Sequence, residues 1–244
     1  MIEKSTDMDF MKSLQERIKK HKDCKGYGYI LKDNKQEMCE CRSSALYQYR
    51  LSQSRIPSQF RKMDFKDCVF KESNAYKKVQ EYLETSEQNK QDGSGLFLFG
   101  PSYTGKTLLA CSLLMGLMKK GYSCRYFKFG QLLDVGQQDV IKKEIYSPDF
   151  LCVDEVERVL NNLVNFRDSV LTGDRIHGAV EFLDNLLSMR IDSGLPVIAA
   201  STVSLKTING SFPSLARTFA SSCISIECEF KKKIEEQTMM PDQT

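Results

Sequence analysis

One eight-residue stretch constrains this chain more than any other: Gly100-Pro101-Ser102-Tyr103-Thr104-Gly105-Lys106-Thr107. It has the form G-x-x-x-x-G-K-[ST], a loop that cradles phosphate groups. Leu96-Phe97-Leu98-Phe99 before it reads as a short buried strand, and Leu108 to Met118 after it as an apolar helix. Such a loop works only in that order. Its glycines let backbone N–H groups turn inward around an anion, and the start of the helix adds partial positive charge. Gly100 through Leu108 are therefore the expected nucleotide-binding residues. Lys106 reaches the outer phosphates and the Thr107 hydroxyl holds Mg²⁺.

A second half of the site is expected downstream. Phe150-Leu151-Cys152-Val153-Asp154-Glu155 is an apolar strand that ends in two acids. Asp154 is placed to share the Mg²⁺ with Thr107. Glu155 is placed to orient or deprotonate a water, as a general base must be.

Composition sets outer limits. A chain of 244 residues holds one sizeable core with room for a small appendage. The formal net charge of +3 gives no global polycation signal. No apolar run reaches the length of a membrane span, so no membrane partner is expected. The polar start, Met1-Ile2-Glu3-Lys4-Ser5-Thr6-Asp7, does not read as a signal peptide. Nine cysteines are an odd number, and Cys111 and Cys152 fall in apolar segments. Reduced thiols and a cytoplasmic location are the expectation.

The N-terminal cysteines form a pattern of their own. His21 and Cys24 make one pair, Cys39 and Cys41 another, with Tyr27-Gly28-Tyr29-Ile30-Leu31 between them able to form a hairpin arm. Four N/S ligands from two close pairs suit tetrahedral, structural Zn²⁺. Such a clip lets about thirty residues fold with little hydrophobic core. Ahead of it, Met8, Phe10, Met11, Leu14 and Ile18 share one face of a helix running to about Lys20. That face either docks a partner or packs on the zinc module. Between the module and the phosphate loop, Arg42, Arg50, Arg55, Arg61, Lys62, Lys66 and Lys71 interleave with Tyr47, Tyr49, Phe60 and Phe65. Basic residues among aromatics suit single-stranded nucleic acid; a solvated helix face with core anchors is the alternative. Ser86 to Ser94 reads as a polar turn, and the charged tail from Lys231 as frayed.

The remaining apolar runs complete a sheet. Cys124–Phe129, Pro196–Ser201 and Cys223–Ile226 read as strands, and Glu72–Ser86, Gln131–Ile145 and Gly178–Ser193 as helices. Strands alternating with helices predict an α/β fold with a parallel sheet. Thr202, just past one strand, would sit near the γ-phosphate, where ligands of such sheets bind.

Taken together, the two nucleotide motifs, a polar residue ending the next strand and a late arginine resemble the AAA+ ATPase arrangement. The cysteine-pair module, followed by Arg55-Ile56-Pro57-Ser58-Gln59-Phe60-Arg61-Lys62-Met63-Asp64-Phe65, resembles the DnaC/DnaI-type replicative helicase loaders and their phage relatives. The resemblance covers nearly the whole chain. It implies a five-stranded AAA+ core without a C-terminal lid and a zinc-binding, helicase-docking N-terminal domain. The divisions it implies are 1–50 for helix and zinc module, 51–72 for a basic linker, 73–230 for the ATPase domain and 231–244 for a disordered tail. Asp154 and Glu155 become the Walker B pair and Thr202 sensor 1. Arg217, within Leu215-Ala216-Arg217-Thr218-Phe219, becomes the arginine finger, a fixed guanidinium that neutralises charge on the transferred phosphate of a neighbouring subunit. Implied partners are a DnaB-type hexameric helicase, single-stranded DNA and further copies of the chain, with ATP, Mg²⁺ and Zn²⁺ as cofactors. The chain departs from the family pattern at His21, where Cys is usual, at Thr202, where Asn is usual, and at Ala216 and Thr218 beside the arginine. A transposition regulator of the IstB type, binding duplex DNA, and a P-loop kinase are the competing readings. The zinc-like module weighs against the first, since the IstB-type N-terminus is helical without such a clip; Arg217, the basic segment and the lack of an obvious lid segment weigh against the second.

Overall fold

The computed structural model describes residues 12–13, 15–16, 18–63, 65, 71, 73–135, 144–157 and 173–229. A hairpin comes first, β1 (Tyr29–Lys32) and β2 (Lys35–Met38), paired from Tyr29↔Met38 to Lys32↔Lys35. Asp33 and Asn34 turn it at φ of 49° and 60°, left-handed values that short polar side chains tolerate. Helix α1 (Glu40–Gln53) follows, then α2 (Asn74–Glu84) and α3 (Ser86–Gln91). The second sheet and its helices run β3 (Gly95–Phe99), α4 (Lys106–Lys119), β4 (Cys124–Lys128), α5 (Phe129–Val135), β5 (Phe150–Asp154), α6 (Gly173–Asp192), β6 (Val197–Ser201), α7 (Leu205–Ser211), α8 (Pro213–Ser222) and β7 (Cys223–Glu227).

All five strands of this sheet are parallel, in the order β4-β5-β6-β3-β7. Strand side chains alternate between faces, and two cores result. Leu96, Leu98, Tyr126, Cys152 and Ala200 pack with α2 and α4 on one face. Phe97, Phe127, Val153 and Ala199 pack with Leu183, Leu187, Leu215 and Phe219 of α6 and α8 on the other. Because β3 lies between the later strands β6 and β7, the chain reverses its winding beside β3. The carboxyl ends of β3, β5 and β6 converge there, where such sheets bind ligands.

The expected α/β architecture with its five-stranded parallel sheet is present. Two details differ from the sequence reading, and a third segment, 205–222, carried none. Ser86–Gln91 forms helix α3 rather than a turn, since Asn89 Nδ2 donates to Tyr82 O at 3.0 Å and ties the segment to α2. Helix α6 begins at Gly173, earlier than Gly178. Residues 205–222 form two helices; α7 is capped by Ser204, whose hydroxyl accepts from Thr207 N, and α8 starts on Pro213 at its first turn. Met8, Phe10, Met11, Leu14, Lys66 and the tail from Lys231 lie outside the described residues.

Burial of one charge was not legible in the sequence. Arg190, in the last turn of α6, is fully buried. Its guanidinium donates to Ile145 O at 2.7 Å, Pro148 O at 2.9 Å and Pro196 O at 3.2 Å, so it ties α6 to the entries of β5 and β6. Burial pushes its pKa down to about 10. Arg190→Met keeps the apolar stem and removes the guanidinium that these buried carbonyls share. The expected loss is about 3–5 kcal/mol, or on the order of 10 °C in a thermal melt. A melt within about 2 °C of the parent would show that these contacts do not stabilise the sheet.

Candidate functional site

Phosphate-loop geometry begins with a close approach. Gly100 sits at φ 143°, and a Cβ there would lie 2.2 Å from Cys228 O; only glycine fits. Cys228 N donates to Phe99 O at 2.7 Å, which brings the chain after β7 against the loop. Gly105, at φ 85°, caps the start of α4. Tyr103 holds φ 66° without being glycine and is 91% exposed. Lys106 is buried in the loop, where its ammonium donates to Gly100 O at 2.7 Å and Pro101 O at 2.6 Å. Burial pushes the Lys106 pKa down, and the charge of Asp154 pushes back.

Strand β5 delivers the acids. Asp154 is buried, and its Oδ2 accepts from Thr107 Oγ1 at 2.8 Å and from the Tyr126 hydroxyl at 2.7 Å. Asp154 Oδ1 accepts from Glu155 N at 2.8 Å. Glu155 stands at φ 56°, a left-handed value for a non-glycine residue, which costs about 1–2 kcal/mol. Backbone strain of this kind clusters at functional sites. The Glu155 carboxylate meets Lys128 Nζ at 2.7 Å. The structure thus joins Lys106, Thr107, Asp154 and Glu155 in one cluster and adds Tyr126 and Lys128, both from β4. Neither had a sequence signal beyond a polar residue near a strand end.

Two other expected residues stand apart. Thr202 is half-buried, one residue past the end of β6. Arg217 is exposed on α8. Asp184 of α6 anchors that helix by accepting from Ser214 Oγ and Thr218 Oγ1, each at 2.7 Å. Among the described residues, the hydrogen bonds of the Asp154 cluster reach neither Thr202 nor Arg217.

Near the N-terminus, His21, Cys24, Cys39 and Cys41 bring their ligand atoms within 4.8 Å of one another. His21 Nδ1 lies 3.5 Å from Cys39 Sγ and 3.8 Å from Cys24 Sγ, and the Cys24 and Cys41 sulfurs are 3.6 Å apart. Zn–S bonds near 2.3 Å and Zn–N bonds near 2.0 Å give tetrahedral edges of about 3.5–3.8 Å. The donor set and spacing therefore fit structural zinc. Burial opposes ionisation of Cys24, but the Gly28 and Gly26 backbone, Cys41 and His21 hold its thiol down at about 6. Burial pushes Cys41 up to about 12. By contrast, burial pushes Cys111, Cys124 and Cys152 upward, which makes them inert core thiols. Ile18 packs on Gly28 of this module.

Much of the basic segment is spent on internal contacts. The Arg42 guanidinium stacks over Tyr29 at 4.5 Å and that of Arg55 over Phe127 at 4.8 Å. Arg55 also pairs with Glu144 at 2.7 Å, and Arg61 Nε donates to Ile56 O at 2.7 Å. Lys62 is exposed.

No protein-family model matches this sequence, and no curated protein matches it. Solved structures do. A DnaI structure superposes over 74% of this chain and 95% of its own, at TM-score 0.57 and 14% identity. A DnaC helicase loader covers 71% and 100%, at 0.53 and 15%. The replication initiator DnaA, bound to AMPPCP and single-stranded DNA, covers 74% of this chain at 0.56 and 21%. This chain spans about half of that DnaA structure, 53% of its length. The core has the AAA+ fold. The loop after β3 and the acids of β5 both stand at the carboxyl ends of their strands. Among the described residues, no helix is long and apolar enough to cross a membrane.

Proposed function

We propose that this protein is an ATP-driven loader of a replicative, DnaB-type hexameric helicase. In this reading residues 1–50 carry the zinc-bound docking module, 51–72 a linker and 73–230 the AAA+ ATPase. The observation that carries it is the pairing of a phosphate loop with Asp154-Glu155 at the nucleotide end of an AAA+ core, in a chain that also holds a His/Cys tetrahedron outside that sheet.

The chemistry is divided among named side chains. Lys106 exchanges the Gly100 and Pro101 carbonyls for phosphate oxygens of ATP. Loop N–H groups from Gly100 to Leu108 surround the phosphates. Thr107 and Asp154 present hard oxygens 2.8 Å apart, a donor set that suits Mg²⁺. When bound, that ion neutralises phosphate charge. Glu155 takes the proton of the attacking water, and the ion pair with Lys128 holds its carboxylate in place until then. Thr202 faces the γ-phosphate. Arg217, on the anchored and exposed face of α8, reaches ATP bound by a neighbouring copy, so hydrolysis requires assembly. Single-stranded DNA binds along the AAA+ assembly; Lys62 is better placed for phosphates than Arg42 or Arg55, whose guanidinium groups already cover aromatic rings.

A pull-down of the full chain against a hexameric replicative helicase, with and without ATP, tests the reading. Capture is expected, and it should respond to nucleotide. Arg217→Ala should bind ATP and hydrolyse it poorly, and mixing it with Lys106→Ala should restore part of the activity. No helicase capture in either condition sinks the loader assignment, and a clear preference for duplex over single-stranded DNA moves it to transposition regulation.

A further inference from the structure

We propose that Tyr126 is a positioning residue for the metal-ligating carboxylate, its phenol fixing Asp154 in the orientation that holds Mg²⁺. The inference rests on the ATP·Mg²⁺ reading above and deepens it. Tyr126 lies on the α4 face of the sheet among apolar neighbours, Cys124, Cys152 and Ala200. A tyrosine so placed needs a partner for its hydroxyl. The partner is Asp154 Oδ2, at 2.7 Å.

Asp154 is itself 4% exposed and accepts from three donors: Thr107 Oγ1, Tyr126 Oη and Glu155 N. Thr107 is also a cation ligand, and its hydroxyl must serve both groups. Glu155 N belongs to the strained residue that follows. Tyr126 is the donor with no second task, and its ring is held at both levels. The side chain sits in the core, and Tyr126 N donates to Ser54 O at 2.8 Å. Ser54 is buried and closes the end of α1, so the outer edge of β4 is pinned where the phenol leaves it. Partners that orient a metal ligand without touching the metal are typically worth about 10–100-fold in metal affinity.

The test is Tyr126→Phe in the full chain, with a fluorescent ATP analogue titrated in EDTA and then against MgCl₂. The affinity in EDTA should match the parent, because the loop and Lys106 are untouched. The half-saturating Mg²⁺ concentration should rise about ten-fold. Tyr126→Met, which also lacks the hydroxyl, should move it the same way, and thermal melts identify which variant is folded. An unchanged Mg²⁺ midpoint overturns the proposal. Equal losses with and without Mg²⁺ overturn it too, because a merely structural tyrosine behaves that way. A parent chain that binds no analogue overturns the ATP reading itself, a different result from either.

Discussion

Replacing Glu155 with Gln is expected to lower phosphate release by about 10²–10⁴-fold while ATP affinity stays near that of the parent. Gln matches Glu in shape but cannot take a proton from water. The position is specialised: Glu155 leaves β5 at φ 56°, and its carboxylate is 2.7 Å from Lys128 Nζ. Neither Asp154 nor Thr107 is altered, so the cation ligands and the phosphate contacts remain. The measurement pairs nucleotide affinity with single-turnover phosphate release. Hydrolysis at the parental rate would remove Glu155 from the mechanism and leave the Lys128 pair as a structural contact. An equal collapse of ATP binding would mean that the substitution broke the loop and not the chemistry.

Removal of zinc is expected to unfold the N-terminal module and leave the AAA+ core standing. The module has little else to hold it. All four residues of β2 are exposed, Leu31 is 82% exposed and Tyr27 77% exposed. A two-stranded hairpin is marginal in water without help, whereas structural zinc contributes about 10–16 kcal/mol of apparent binding free energy. Protein purified without added metal should carry zinc at close to one ion per chain. Chelation should then open the hairpin around residues 20–45 to proteolysis, while the melt of the parallel sheet is preserved. A metal-free preparation with that region still resistant to protease would exclude the site.

Legibility in the sequence followed the range of the interactions. The phosphate loop was readable because its chemistry is contiguous: the residues that bend the backbone, supply the ammonium and start the helix are neighbours. The His21/Cys24 and Cys39/Cys41 pairs were readable because close spacing is itself the signal for a tetrahedral site. Short apolar runs bounded by turns marked the five strands of the parallel sheet, and their alternation with helices pointed to the α/β core. Tyr126 and Lys128 were not readable. Their partners, Asp154 and Glu155, are 28 and 27 residues away along the chain, and only the pairing of β4 with β5, with Lys128 opposite Asp154, brings them together. The same holds for Arg190, which reads as an ordinary charge near the end of a helix until the entries of two strands close their carbonyls around it. Basic residues in the linker looked like a nucleic-acid surface because charge and aromatic content are visible in sequence, but the stacking of Arg42 on Tyr29 and Arg55 on Phe127 is not. Local order is written in periodicity and in motifs of a few residues. Which side chain then meets which is decided by strand register and sheet order, because hydrogen bonds and ion pairs act over about three ångströms between groups the chain itself keeps far apart.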